Sequence, residues 1–280
     1  MTTETDYGAL LEWFREAGPA VVAFSGGVDS TLLARAAHDA LGEDALAVTA
    51  VSASLAPREL DDAKSLAAEI GIHHRLETSA ETSLPAYLTN DGERCYHCKN
   101  ELYAICSRVA AEHGAAVIVN GLNTDDTSDH RPGNRAADEA GVRSPFVELG
   151  FDKAAIRAHS AALGLPTADK PELACLASRF PTGTAITIVG LEQVAAAEEV
   201  VAGLGFSQWR VRFHGDLARI EVSAREIGRL ADQDLRDRLV EGVRRTGFRF
   251  VTLDLTGYRR GSSNAIAMAS PAAPGHHDPG

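Results

Sequence analysis

The segment Ser25-Gly26-Gly27-Val28-Asp29-Ser30-Thr31 constrains the fold of this chain more than any other part of its sequence. It follows directly on residues 20–24, an apolar run with the length of a buried strand, and it leads into residues 31–41, whose apolar side chains recur with helical spacing. A strand that ends in a glycine turn and continues as a helix presents backbone N–H groups to an anion. The segment therefore predicts an anion site at the carboxyl end of a buried strand.

The side chains of this segment suit a polyphosphate. Its two glycines let backbone N–H groups approach phosphate oxygens closely, and Ser25, Ser30 and Thr31 add hydroxyl donors. Asp29 would repel bare phosphate, but it is explained if it holds a Mg²⁺ ion that bridges the phosphates. The alternative is an ordinary glycine turn in which Ser and Asp cap a helix. The sequence contains neither a Walker A loop nor a Gly-x-Gly-x-x-Gly string.

The full Ser-Gly-Gly-x-Asp-Ser string after such a strand resembles the phosphate loop of the PP-loop ATP pyrophosphatases. That resemblance implies that ATP is cleaved between its α- and β-phosphates and that a carbonyl or carboxyl oxygen of a second substrate is adenylated. It leaves open which nucleophile then displaces AMP.

Further strands are predicted at 45–51 and 115–120, and further helices at 57–70, 101–113 and 153–163. This alternating order predicts an α/β fold with a Rossmann-like parallel sheet covered by helices on both faces. The resemblance implies the same architecture, the adenine nucleotide alpha hydrolase-like fold.

The pattern changes near Pro181 and Gly183, and we place a domain boundary there, so that residues 1–183 form the PP-loop domain. Residues 184–261 predict a smaller α+β domain for substrate binding or oligomerisation, and the Pro- and Gly-rich residues 262–280 a disordered tail. The helices and strands predicted in the second domain are a helix at 191–203, strands at 209–213 and 218–222, a helix at 224–243 and a strand at 248–255.

Charge and hydropathy limit the compartment and the partners. The net charge is −12, and the acidic surplus lies in the first 209 residues, which argues against a nucleic-acid duplex as partner. No apolar run reaches the ~20 residues of a membrane span, and the first residues are acidic and polar rather than signal-like. We therefore expect a cytoplasmic protein without a membrane partner, whose cysteines stay reduced.

Three cysteines are candidates for ligands or nucleophiles. Cys95 and Cys98 form a Cys-x-x-Cys pair whose sulfurs can converge on one metal or cluster, and Cys175 can supply a third ligand. Three thiolates on a [4Fe–4S] cluster leave one iron open for a sulfide. A structural zinc site that adds His97, or a redox dithiol, fits the same spacing. Cys106 has the pattern of a small core residue.

Several further motifs resemble the LarE family of sulfur transferases, which act in nickel-pincer cofactor synthesis. The likeness runs from about Ser25 to about Val222. The motifs that carry it are Arg94-Cys95-Tyr96-His97-Cys98-Lys99, Asn120-Gly121-Leu122-Asn123-Thr124-Asp125-Asp126, Asp129-His130-Arg131-Pro132-Gly133, Gly141-Val142-Arg143-Ser144-Pro145 and Cys175-Leu176-Ala177-Ser178-Arg179. Asn120 and Thr182 depart from the family pattern, in which Asp and Tyr are usual.

The LarE resemblance implies that a pyridinium-3,5-dicarboxylate mononucleotide is adenylated and converted to thiocarboxylates. In one branch the cysteine matching Cys175 gives up its own sulfur; the branch with all three cysteines is associated with a [4Fe–4S] cluster, and this sequence resembles the latter. Arg210 and Arg212 alternate on a strand and match the arginines that hold the substrate's phosphate, while Glu221 matches a metal-binding acidic position. A homo-oligomer, by analogy a hexamer, and a sulfide donor protein of unknown identity are further expectations.

Two other functions share part of this pattern. A tRNA thiolation enzyme also combines a PP-loop with cysteines, but it predicts a broad basic surface that the acidic first 209 residues do not supply. A non-catalytic, nucleotide-dependent Fe–S or zinc sensor predicts ATP binding without release of pyrophosphate.

Overall fold

The computed structural model describes residues 6–128, 132–171 and 174–259. Its chain divides into two compact units, Met1–Cys175 and Leu176–Gly280. The domain boundary predicted after residue 183 falls inside the second unit. The predicted disordered tail, 262–280, lies outside the described residues, as do Asp129, His130 and Arg131 of one quoted motif. No helix in the described part of the chain is both long and apolar enough to cross a bilayer.

The first unit is built on a parallel sheet with the strand order β3-β2-β1-β4. Its strands are β1 (Ala20–Ala23), β2 (Ala45–Val51), β3 (His73–Thr78) and β4 (Val117–Val119). The helices of this unit are α1 (Tyr7–Ala17), α2 (Val28–Leu41), α3 (Pro57–Ile70), α4 (Pro85–Leu88), α5 (Arg94–His113), α6 (Pro132–Glu139), α7 (Pro145–Glu148) and α8 (Lys153–Ala162).

Alternate residues of the central strands face two layers of helices. Val22 of β1 packs in a cluster with residues of α1, α2, α3 and α8, whereas its neighbour Val21 packs with Ile105 and Val109 of α5. Because both faces are covered, the central strands β1 and β2 are apolar except at Thr49. The predicted α/β fold with a Rossmann-like parallel sheet is confirmed.

The chain departs from the prediction where an element lacks an apolar signature. Strand β3 was not predicted, since it is an edge strand of polar composition with most side chains at least partly exposed. The predicted helix at 101–113 begins earlier, at Arg94, so the Cys-x-x-Cys segment lies on the first turns of α5 rather than before the helix. That part of the prediction was wrong, because the polar residues 94–100 carry no apolar periodicity.

The second unit is a three-stranded sheet of order β5-β6-β7 with helices packed beside it. Its elements are α9 (Ile188–Gly203), β5 (Trp209–His214), β6 (Leu217–Val222), α10 (Gln233–Arg245) and β7 (Phe250–Leu253). Strands β5 and β6 are antiparallel, and β6 and β7 are parallel. The predicted smaller α+β part is thereby confirmed.

One predicted helix of the second unit is two elements. Residues 224–243 were predicted as a single helix, but a 3₁₀ helix spans Ala224–Ala231 and α10 begins at Gln233. Asp232 interrupts the helix because its backbone is extended and its carboxylate accepts a hydrogen bond from the N–H of Leu235 at 2.8 Å, which caps α10.

Candidate active site

The phosphate loop lies between β1 and α2, at the point where strand order reverses between β1 and β4. Gly27 is the N-cap residue of α2 and, having no side chain, cannot satisfy the first N–H groups of that helix. The hydroxyls of Ser25 and Ser30 lie 3.1 Å apart, and Ser30 Oγ also donates to the carbonyl of Gly27 at 3.2 Å. The loop therefore presents helix N–H groups and Ser25 at the surface, as an anion site requires.

Two glycines let this loop pack tightly against its neighbours. Gly26 has a φ of +70°, and a Cβ there would lie 3.2 Å from the Cα of Ala63 in α3. Gly121, just after β4, approaches the loop from the other side, where a Cβ would lie 3.0 Å from the Cβ of Asp29. A side chain at either position would push the loop away from its support.

Asp29 is held by a lysine from a distant part of the chain. Lys153 Nζ donates to both carboxylate oxygens of Asp29, at 2.7 and 2.6 Å, and the amide of Asn123 donates to one of them at 3.3 Å. Lys153 is itself placed at the start of α8 by its backbone N–H, which donates to Asp125 at 3.0 Å. The segment after β4 thus positions both partners of the ion pair.

A second lysine contacts the other end of the loop. Lys170 Nζ donates to the carbonyl of Gly26 at 3.3 Å and to the carboxylate of Asp62 in α3 at 2.8 Å. The loop is therefore bracketed by two ammonium groups. Thr31, by contrast, is fully buried, and its hydroxyl faces the interior without a hydrogen-bond partner among the described residues.

The cysteines of the Cys-x-x-Cys pair lie one helical turn apart at the start of α5. Cys95 is exposed, and Arg94 Nη2 lies 3.9 Å from its sulfur. Burial tends to lower the pKa of Arg94, but the charges of Cys175 and Cys95 outweigh it and leave that pKa raised. Arg94 therefore interacts electrostatically with Cys175 as well as with Cys95 of the Cys-x-x-Cys pair.

A buried carboxylate adjoins the second cysteine. Glu81 is 4% exposed and accepts a hydrogen bond from Ser52 at 2.6 Å and another from Ser54. Burial raises the pKa of the Cys98 thiol, and the charge of Glu81 and a hydrogen bond to it raise that pKa further.

A tyrosine also belongs to this neighbourhood. Burial raises the pKa of the Tyr87 phenol, and the charges of Cys175 and Glu81 raise it further. Cys106, on the following turns of α5, is fully buried, which confirms its prediction as a core residue.

The two candidate arginines of the second unit differ in their surroundings. Arg212 is buried on β5, where Nη2 donates to Glu221 at 2.9 Å and Nη1 to the carbonyl of Ser178 at 3.1 Å. Arg210 is half-buried and stacks over the Tyr258 ring at 5.2 Å. Burial lowers the pKa of Arg210, and the nearby charge of Arg179 lowers it further, as expected where positive groups are crowded.

Glu221, the predicted metal ligand of the second unit, is engaged in ion pairs. It is 1% exposed, and Arg219 Nη2 donates to its second oxygen at 3.2 Å, so both of its oxygens accept from arginines. Its contacts in this structure are those of a buried counter-ion, and its role as a metal ligand stays a prediction.

Sequence comparisons connect these features to known proteins. A family model described as NAD synthase matches residues 14–92, the part that contains the phosphate loop. The pyridinium-3,5-bisthiocarboxylic acid mononucleotide synthase of Lactiplantibacillus plantarum is 39% identical over 264 residues, covering 94% of this chain and 95% of that protein. The chain belongs to the LarE family. It is accordingly an ATP-dependent enzyme of the PP-loop type.

Further relatives show how far similarity to other proteins extends. An uncharacterized Synechocystis protein is 45% identical over 257 residues, 92% of this chain and 96% of that protein. A tRNA-specific 2-thiouridylase MnmA of Caulobacter vibrioides is 31% identical over 191 residues, but the match covers only 54% of this chain and 50% of the thiouridylase. The thiouridylase MnmA of Acidiphilium cryptum aligns over more of the chain, 83% of it and 80% of that protein, but at 28% identity. The match to the L. plantarum synthase is thus higher in identity and covers more of this chain than either thiouridylase match.

The three cysteines of this LarE chain are the type of ligand that iron–sulfur clusters use, but the described part of the structure does not arrange them around a common metal position. Cys95, Cys98 and Cys175 are soft thiol ligands, and Arg94 interacts with the charges of Cys95 and Cys175, which favours thiolates at those two positions. Within residues 6–128, 132–171 and 174–259, however, no three His, Cys, Asp or Glu side chains are arranged to hold a metal ion. The cluster, the zinc alternative and Mg²⁺ at Asp29 stay predictions.

Several site residues were missed by the sequence reasoning. Lys153, Lys170 and Asn123 contact the phosphate loop, and Glu81 contacts Cys98. Asn123 lay within a quoted motif, although no role was attached to it. The lysines and Glu81 carry no local signal, because an isolated lysine or glutamate in a polar segment reads as a surface residue.

Proposed function

We propose that this chain adenylates the carboxylates of a pyridinium-3,5-dicarboxylate mononucleotide with ATP and converts them to thiocarboxylates. The observation that carries the proposal is the 39% identity to the L. plantarum synthase over nearly the full length of both chains. The phosphate loop with its two lysines supports the first half of the reaction, and the three cysteines support the second. The proposal includes a cytoplasmic homo-oligomer and a separate sulfide donor protein.

In the first half-reaction, the phosphate loop and the N-terminus of α2 bind the phosphates of ATP. A carboxylate oxygen of the substrate attacks the α-phosphorus, and the bond from that phosphorus to the bridging oxygen breaks. Pyrophosphate leaves with the electron pair, and the product is an acyl adenylate. Arg210 is the better placed of the two strand arginines to hold the substrate's phosphate, since it is half-buried rather than buried.

In the second half-reaction, a sulfur nucleophile attacks the acyl carbonyl and expels AMP. Cys95, Cys98 and Cys175 would hold a [4Fe–4S] cluster, which when bound supplies a sulfide at its open iron. Arg94 places Cys95 and Cys175 in a positive field, which favours thiolates over thiols at these two cysteines. Without a cluster, Cys175 Sγ would attack the carbonyl and expel AMP, and loss of the Cα proton with cleavage of the Cβ–Sγ bond would then release the thiocarboxylate and leave dehydroalanine at position 175.

The test measures adenylation and sulfur transfer separately on the same protein preparation. The protein, purified without oxygen, should contain about four iron and about four acid-labile sulfide per chain. Cys175→Ala should still release pyrophosphate from ATP with the dicarboxylate substrate, but mass spectrometry should find no exchange of oxygen for sulfur in the product. Cys106→Ala, which alters only a core thiol, is the matched control and should retain both activities.

Two outcomes would contradict the proposal. Loss of pyrophosphate release in a folded Cys175→Ala variant would show that adenylation and sulfur transfer are not divided in this way. ATP binding by the parent chain without substrate-dependent pyrophosphate release would favour the nucleotide-dependent sensor. Pyrophosphate release with tRNA in place of the mononucleotide would favour a tRNA thiolation enzyme, the class to which the similar MnmA belongs.

A further inference from the structure

The phosphate loop itself supplies no positive side chain. Residues 25–31 contain hydroxyls and glycines, and their one charged side chain, Asp29, is negative. A site for a highly charged polyphosphate needs cations as well as N–H donors, because the attraction between opposite charges is the larger contribution in a partly desolvated cleft. The structure places two lysines at the loop, and nothing in the motif assigns them a role.

Lys153 is suited to exchange partners. Its ammonium group has three donors, and in the described part of the chain its only acceptors are the two oxygens of Asp29. The two side chains are 24% and 23% exposed, so water and ligands reach the pair. An ion pair of this exposure contributes little to folding, which lets a ligand of higher charge replace one partner at small cost.

Lys170 approaches the loop from the opposite side. Its ammonium group bonds the carbonyl of Gly26 and the carboxylate of Asp62, and its side chain is 18% exposed. Contact with a loop carbonyl fixes the ammonium beside the backbone that turns toward the N-terminus of α2. The ammonium is therefore held one residue from Gly27, the N-cap of α2.

We propose that Lys153 and Lys170 bind the phosphates of ATP, and that Lys153 leaves Asp29 for the phosphates when the metal–nucleotide complex arrives. The inference deepens the proposed function and rests on it for the reaction. Asp29, freed from its ammonium partner, becomes available to Mg²⁺, a cation that prefers carboxylate oxygen. As long as Lys153 bonds both carboxylate oxygens of Asp29, it competes with a metal for that position.

The exchange also serves the chemical step. As the bond between the α-phosphorus and the bridging oxygen breaks, the electron pair moves to pyrophosphate, and negative charge grows on it. An ammonium group already on these phosphates stabilises that charge in the transition state. Removing it lowers the rate of pyrophosphate release more than it weakens ATP binding.

The experiment compares Lys153→Met and Lys170→Met with Lys64→Met, a matched control whose ammonium pairs with the exposed Asp61 on α3. Affinity is measured by calorimetry with α,β-methylene ATP, and Mn²⁺ binding without nucleotide by electron paramagnetic resonance. Lys153→Met should slow pyrophosphate release about 10²-fold and should bind Mn²⁺ more tightly than the parent, because Asp29 has lost its counter-ion. Lys170→Met should weaken nucleotide binding, and Lys64→Met should match the parent throughout.

A second variant tests the exchange from the other partner. Asp29→Asn frees Lys153 and removes a negative charge, so it should bind α,β-methylene ATP more tightly than the parent when no metal is present, and it should lose the Mg²⁺ dependence of that binding. This variant keeps the inference testable if Lys153→Met does not fold.

The inference is overturned if Lys153→Met releases pyrophosphate at the parental rate, if its Mn²⁺ affinity is unchanged, or if Asp29→Asn does not tighten metal-free nucleotide binding. The two binding measurements need no pyridinium substrate. A parent chain that binds nucleotide as described but releases no pyrophosphate would therefore contradict the proposed function and leave the lysine assignment standing.

Discussion

The ion pairs of the phosphate loop and those of the second unit differ in their access to water. Lys153 and Asp29 are 24% and 23% exposed, whereas Arg179 and Glu198 are 2% and 10% exposed and Arg212 and Glu221 are 9% and 1% exposed. A partly exposed pair can trade a partner for a ligand, but a buried pair leaves an uncompensated charge when one partner goes. An ion pair at the phosphate loop can therefore exchange a partner for a ligand, whereas the buried ion pairs of the second unit stabilise the fold.

The largest effect is expected at the buried pair of Arg179 and Glu198. Arg179 donates to both oxygens of Glu198, at 2.8 and 3.0 Å, and Glu198 also accepts from the N–H of Val211. Arg179→Met should lower the free energy of unfolding by about 3–5 kcal/mol, because Glu198 would remain buried without its counter-ion. Urea unfolding followed by circular dichroism measures this.

The control for this comparison is Arg245→Met in α10, which removes an exposed pair with Glu241. Its effect should stay below about 1 kcal/mol. Equal losses for the two variants would show that burial does not separate the pairs as described.

A smaller effect should distinguish the two arginines of β5. Arg212→Ala should cost about 2 kcal/mol of unfolding free energy, less than the Arg179 variant, because Arg219 still compensates Glu221. Arg210→Ala should leave unfolding nearly unchanged and raise the KM for the mononucleotide substrate. Unfolding curves and steady-state kinetics on both variants measure these effects. If Arg212→Ala is as stable as the parent but has a raised KM, Arg212 rather than Arg210 binds the substrate's phosphate.

The smallest effect concerns His74, a histidine beside the phosphate loop. His74 Nε2 lies 2.8 Å from Thr49 Oγ1, whose hydroxyl donates to the carbonyl of Phe24 beside the phosphate loop. Burial lowers the pKa of His74, and the charge of Lys64 lowers it further. The unfolded chain therefore binds this proton more readily, so the free energy of unfolding should fall as the pH drops through about 6.5.

This pH dependence is measured by urea unfolding between pH 7.5 and pH 5. His74→Gln should weaken the fall, whereas His113→Gln, at an exposed position, should retain it. An unchanged pH profile in His74→Gln would remove His74 from the explanation.

Local sequence order was enough to predict three of the four strands of the parallel sheet, the phosphate loop and the family. Apolar runs and a glycine turn are short-range signals, and the string at Ser25 carries both at once. The charged partners of the loop were not predictable in this way. Lys153 lies 124 residues from Asp29 and Lys170 lies 144 residues from Gly26, and only the folded sheet brings them together.

The cysteine region shows the same limit. The Cys-x-x-Cys spacing was visible in the sequence, but the start of α5 at Arg94 and the buried Glu81 beside Cys98 were not. Glu81 follows an edge strand that has no apolar signature, so its burial depends on packing between segments rather than on periodicity.

The contrast between Cys95 and Cys106 on α5 has a practical consequence for labelling. Cys95 is exposed, while Cys106 is fully buried and burial raises its pKa to about 12. Alkylating reagents attack the thiolate, so brief treatment with iodoacetamide at neutral pH should modify Cys95 and spare Cys106. The native chain therefore carries its own reporter: the rate of alkylation at Cys95, read by peptide mass spectrometry, follows the occupancy of the cysteine region without any engineered residue.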